Sequence, residues 1–214
     1  MQPEIILQII VAIAVASYLF DQWLDYINLK ALRQEIPPEI ESFYNQEKYL
    51  KSLDYQRVRT RFSFITSAFG FMLSLTMLLS GGFGWVDSLL RPYVQHEIIL
   101  ALVFFGLILL ISDLLTIPFQ VYSTFVIEEK FGFNKTTPRT FVLDKLKGYL
   151  LGATIGGGLL SILIFLVKSI GPDFWIWFGA LAAIFILFVN LFYTTLILPL
   201  FNKLTPLALS LIHI

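Results

Sequence analysis

Long apolar runs alternate with short polar ones along this chain, and that alternation sets its plan. Five runs reach membrane-spanning length, about 20 residues being needed to cross roughly 30 Å of hydrocarbon. They are residues 5–20, the charge-free stretch 62–86, residues 98–119 with one charge at Asp113, residues 148–167, and a fifth within 174–202. The pattern predicts an all-α, multi-pass transmembrane protein with five spans. A cleaved signal peptide would need a basic start and a small-residue cleavage site. The chain instead begins Met1-Gln2-Pro3-Glu4, and "FDQWLDY" follows the first apolar run, which is therefore read as a retained helix.

The polar stretches carry their own punctuation. Pro37-Pro38 can end one element and start the next. After them Ile40, Phe43, Tyr44, Tyr49, Leu50, Leu53 and Val58 recur at mixed 3–4 spacing. That spacing predicts an amphipathic helix that either lies along the membrane or continues into the second span. "SGGFGWVDSLLRPYVQHE" reads as a short interfacial piece, with Trp85 and Tyr93, like Trp175 and Trp177, suited to the headgroup level. The densest polar stretch is "VIEEKFGFNKTTPRTFVLDKLKG", residues 126–148. The third span continues through it as helix to about Lys130, where Gly132 can end it. Thr137-Pro138 then reads as an N-cap and first-turn proline. Phe141, Leu143 and Leu146 fall partly on one side of the short helix that follows.

Composition agrees with a membrane protein. The chain has 214 residues, 57% hydrophobic and 14% charged, with a mean hydropathy of +0.78; a soluble domain carries about 25% charged residues. Formal net charge is zero, so bulk electrostatics imply no nucleic-acid partner and leave the lipid bilayer as the expected one. The absence of cysteine excludes disulfides, thiol nucleophiles and Cys-bound metal. Basic residues are distributed unevenly. Seven lie in the first loop, five in the third, and Lys203 in the tail, whereas loops two and four hold only Arg91 and Lys168. By the positive-inside bias, loops one and three and the C-terminus are expected in the cytoplasm and the N-terminus outside.

The third loop carries a resemblance. "VYSTFVIEEKFGFNKTTPRTFVLDKLKG" resembles the signature loop of the type I CAAX prenyl endopeptidases, integral-membrane zinc metalloproteases. "EKYLKSLDYQRVRTRFSF" is similar to that family's segment before its second span, and "LILPLFNKLTPL" to the stretch where its fifth span enters the catalytic region. The likeness runs from about Asp21 to Leu207. It implies tilted helices around a water-filled chamber, zinc in the full-length family, and either a bacterial inner-membrane or an endoplasmic reticulum location. It divides the chain into a five-span membrane domain, 1–207, and a divergent tail, 208–214, where the family's catalytic segment would continue.

The chemistry of that family is not written in these residues. Its zinc is held by H-E-x-x-H, two histidines one helical turn apart with a glutamate as general base. Here the histidines are His96 and His213, which the expected topology puts on opposite sides of the membrane. Neither an intramembrane aspartate pair nor a G-x-S-x-G elbow is present. No catalytic residue and no metal or cofactor site is therefore assigned, and the chain is expected to be inactive alone.

Two polar residues, Asp113 and Asn190, are expected roughly 22 Å into the membrane at about 1.5 Å per residue. A buried acid there suggests a chamber-lining or proton-carrying site; the plainer reading, adopted here, is a bond to a neighbouring helix or to water. "GATIGGG" lacks a P-loop lysine, and Gly152 with Gly156 is read as small-residue helix packing. "NKT" at Asn134 matches a glycosylation sequon, discounted for a cytoplasmic loop. The function expected is the membrane-embedded N-terminal half of a CAAX-type protease, truncated before its zinc site. Glu128, Glu129, Lys130, Phe131, Phe133, Asn134 and Lys135 would form a docking loop for a separately encoded zinc peptidase domain. A non-enzymatic membrane scaffold or small transporter-like protein is the alternative.

Overall fold

The computed structural model describes residues 2–32, 36 and 45–202. All described regular structure is helical. Helix α1, Pro3–Ala31, opens on a first-turn proline. The long helix α2, Gln46–Leu79, is capped by Asn45, whose side chain accepts from the Lys48 amide at 3.2 Å. At 34 residues it is roughly 50 Å long, more than the hydrocarbon thickness. Of the two alternatives for the amphipathic stretch, continuation into the second span is the one adopted; Pro37-Pro38 and the first residues after them lie outside the described residues.

The charge-free stretch 62–86 is not one helix. Ser80 ends α2, Gly81 turns the chain at φ 70°, and a separate short helix α3, Gly82–Leu90, follows. Helix α4, Glu97–Tyr122, carries Pro118 and passes into a π-helical turn, Ser123–Glu128, then a last helical turn α5, Glu129–Phe131. Gly132 ends the run at φ 78°. The Phe133 and Gly132 amides donate to the Glu128 and Glu129 carbonyls at 2.9 and 3.0 Å, the paired bonds of a Schellman cap.

Helix α6, Pro138–Leu151, starts at Thr137, whose hydroxyl accepts from the Thr140 amide at 3.2 Å. A π-helical turn, Gly152–Gly156, joins it to α7, Gly157–Ile170. After Gly171–Asp173 come α8, Phe174–Phe192, a third π turn, Tyr193–Ile197, and α9, Leu198–Phe201. Residues 138–201 would reach roughly 95 Å as one straight helix. Yet Lys147 Nζ donates to the Leu200 carbonyl at 2.8 Å. The chain therefore reverses, and it does so at Gly171 (φ 72°) and Pro172, which separates the fourth span from the fifth.

Contacts gather the chain into two units, one of residues 1–95 and 103–136, the other of 96–102 and 137–214. In the first, α1 and α2 run antiparallel, with Tyr18 stacked on Phe71 at 4.1 Å and Gln22 bonded to Ser67 at 3.2 Å. Helices α2 and α4 are also antiparallel, paired through Phe62–Tyr122 and Phe69–Phe119. In the second, Lys168 meets Glu97 at 2.7 Å and Leu102 approaches Gly157. A Cβ at Gly152 or Gly156 would meet nothing within 4 Å, so the packing role read for this pair is not what the structure shows; they bound a π turn instead. Most apolar side chains remain exposed, as spans facing hydrocarbon require.

Gly132 offers a clean test of the corner. Space is open around its Cα, so a side chain meets no clash and only the left-handed backbone resists substitution. Gly132→Ala is expected to cost about 1–2 kcal/mol, and Gly132→Asn less. Thermal unfolding in detergent measures both, and an alanine variant as stable as the parent sinks the assignment.

Candidate functional site

The polar corner after α4 is built onto the extension of α2. Tyr55 and Arg59, one helical turn apart, face it. The Tyr55 hydroxyl donates to Glu128 Oε1 at 2.5 Å. Its ring meets Phe131 and Phe133 edge-on, at centroid distances of 5.3 and 4.8 Å. The Arg59 guanidinium lies 5.9 Å from the same ring. The bond to Glu128 holds the Tyr55 hydroxyl above the usual phenol range, reinforced by burial and opposed by Arg59. Neutral Tyr55 is thus the form the corner stabilises.

The other expected loop residues fall around this centre. Asn134 Nδ2 donates to Glu129 Oε2 at 2.9 Å, and its Oδ1 accepts from the Thr136 amide at 2.7 Å. The Asn134 side chain is thereby engaged as a turn-forming group. Lys130 lies over the Phe131 ring, and Lys135 is exposed. Phe131 is buried, at 6% exposure, whereas Phe133 remains 53% exposed. Of the aromatics expected as docking anchors, Phe131 belongs to the corner's own core. Tyr55 and Arg59 escaped the sequence reading as members of this corner. Their i,i+4 spacing was the available signal, but nothing local said which loop they would meet.

Deeper polar groups are bonded within their own helices. Asp113 accepts from Gln120 Nε2 at 3.0 Å; the same nitrogen lies 3.0 Å from Thr116 Oγ1, and that hydroxyl donates to the Asp113 carbonyl. Asn190 Nδ2 donates to the Ile186 carbonyl at 2.8 Å. Beside Gln120 a cleft of about 290 Å³ opens between α2 and α4. Arg59, Phe62, Ser63 and Thr66 line one wall, and Thr116, Phe119, Gln120 and Ser123 the other.

A catalytic metal of the kind the resemblance implies needs about three protein donors. Among the described residues no three His, Cys, Asp or Glu side chains converge. His96 is exposed, and His213 lies outside the described residues. The described donors therefore do not form such a site.

Residues 25–203 match a family model described as CAAX prenyl protease N-terminal, five membrane helices. The chain belongs to that family. As a CAAX prenyl protease N-terminal region it is a multi-pass membrane protein, and the family's five helices agree with the five spans separated above. It is 32% identical over 209 residues to CAAX prenyl protease 1 homolog of Arabidopsis thaliana, a match covering 94% of this chain and 49% of that protein. It is 30% identical over 214 residues to CAAX prenyl protease 1 of Saccharomyces cerevisiae, covering 93% and 46%. The crystal structure of S. mikatae Ste24p superposes with a TM-score of 0.83 at 28% identity, over 97% of this chain and 50% of that one. The chain thus spans about half the length of the relatives it matches.

Proposed function

We propose that this chain is the membrane-embedded part of a CAAX-type zinc metalloprotease, and that the corner at residues 128–135 docks the peptidase domain that carries the zinc. The observation that carries this reading is the corner itself. A connector between two spans needs neither a Schellman cap nor a tyrosine–glutamate bond nor three clustered aromatics, yet all are present. They leave Phe133 held in place and exposed beside Lys130 and Lys135. Rigid aromatics ringed by polar groups are how interfaces concentrate binding energy.

In this reading the 214 residues supply helices of a chamber wall and a cytoplasmic platform. The metal, the general base and the scissile bond belong to the docked domain. The test is reconstitution in detergent. The chain alone is expected to hold less than one zinc and to leave a prenylated Cys-aaX peptide intact. Adding the zinc peptidase part of a curated relative as a separate chain should produce a complex and cleavage. Cleavage by the chain alone, with one zinc bound, would overturn the reading, as would failure of the two chains to associate.

A further inference from the structure

The cleft between α2 and α4 has two chemically different ends. At its deep end the donors are already used. The Thr66 hydroxyl donates to the Ser63 carbonyl, the Thr116 hydroxyl to the Asp113 carbonyl, and the Gln120 amide to Thr116 and Asp113. At its other end are Arg59, Ser63 and Ser123, whose side chains make no ion pair or hydrogen bond among the described residues beyond Arg59's contact with Tyr55. Ser123 opens the π-helical turn, a local rewinding that is frequent at functional sites. No carboxylate lines the cleft. The acids that flank its α4 wall in the chain, Asp113 and Glu128, are held by Gln120 and Tyr55.

A permanent cation and two hydroxyls gathered at one end suit an anion with several acceptor oxygens. The level of that end identifies which. Arg59 and Arg61 are the last charges before the uncharged run that begins at Phe62, so the donors lie where the hydrocarbon starts. Phe62 and Phe119 form apolar walls beside them. Phosphodiesters attached to acyl chains are concentrated at that level. We propose that the boundary end of this cleft binds the phosphate of an anionic phospholipid headgroup, with Arg59 supplying the charge and Ser63 and Ser123 the neutral donors. This stands independently of the docking reading above.

Native mass spectrometry of the detergent-purified chain, titrated with phosphatidylglycerol or phosphatidylcholine, tests it. Phosphatidylglycerol should be retained selectively, and Arg59→Gln should weaken it about tenfold, the scale of one charged hydrogen bond. Arg57→Gln should change it little, because Arg57 is already paired with Asp54 at 3.3 Å. Ser63→Ala combined with Ser123→Ala, which leaves Arg59 on Tyr55, should weaken it about threefold, as neutral donors do. Equal retention of the two lipids, or equal losses from Arg57→Gln and Arg59→Gln, would reduce the site to general surface charge. Displacement by millimolar inorganic phosphate would assign the cleft to a free anion. Displacement by a prenylated peptide acid but not its methyl ester would assign it to a peptide carboxylate. Either displacement overturns the lipid assignment.

Discussion

Phe131→Ala is expected to cost about 3–4 kcal/mol of stability, the usual loss for a buried phenylalanine, whereas Phe133→Ala should cost about 1 kcal/mol. The two residues are two positions apart and touch the same tyrosine, but they differ in burial. Phe131 is packed beneath Tyr55 and Lys130, so its removal leaves a cavity under the cap that Gly132 closes. Phe133 loses only its edge contact with Tyr55, because more than half of it already faces outward. In binding to the zinc peptidase chain the order should reverse in origin. Phe133→Ala should weaken association by about 2 kcal/mol, roughly thirtyfold, with the unfolding temperature nearly unchanged. Phe131→Ala should lower the unfolding temperature first and binding only as a consequence. Equal binding by the parent and Phe133→Ala would leave the corner as a stiff connector and nothing more.

The corner also marks how far sequence reasoning reached. Its stops were legible because each is a local act of backbone chemistry. Gly132 adopts a positive φ that other residues resist, and Thr137-Pro138 caps a helix with a hydroxyl and a ring that needs no amide donor. The turn at Gly171-Pro172 is of the same local kind, although the sequence reading passed over it. The partners were not legible, because Tyr55 meets Glu128 across 73 positions and no local rule reports that distance. For the same reason Phe131 and Phe133 looked alike in the sequence and separate only once α2 is placed against them. Gly152 and Gly156 show the converse error. Their spacing fits close helix approach, but the π turn changes the local winding on which an i,i+4 argument depends.

Cysteines placed singly at Ser88 and Lys135 are expected to react with a membrane-impermeant thiol reagent from opposite sides of the bilayer, Ser88 from outside and Lys135 from the cytoplasm. The natural chain has no cysteine, so no background labelling competes. Both positions are exposed, Ser88 in α3 and Lys135 in the corner. Between them in the chain α4 is the one long helix, and at 26 residues it reaches roughly 39 Å, enough to cross once. Labelling from the same side would therefore mean that α4 does not span. The absolute direction tests a different premise. Thirteen basic residues fall in loops one and three and the tail, against Arg91 and Lys168 in loops two and four. Each of those two is already paired with an acid, Arg91 with Asp87 at 2.5 Å and Lys168 with Glu97 at 2.7 Å. The Lys and Arg residues are concentrated on one side of the membrane, which the positive-inside bias makes cytoplasmic. Opposite sides with the direction reversed would keep the span and discard the bias, and the corner at residues 128–135 would then face away from the cytoplasmic domain proposed to dock on it.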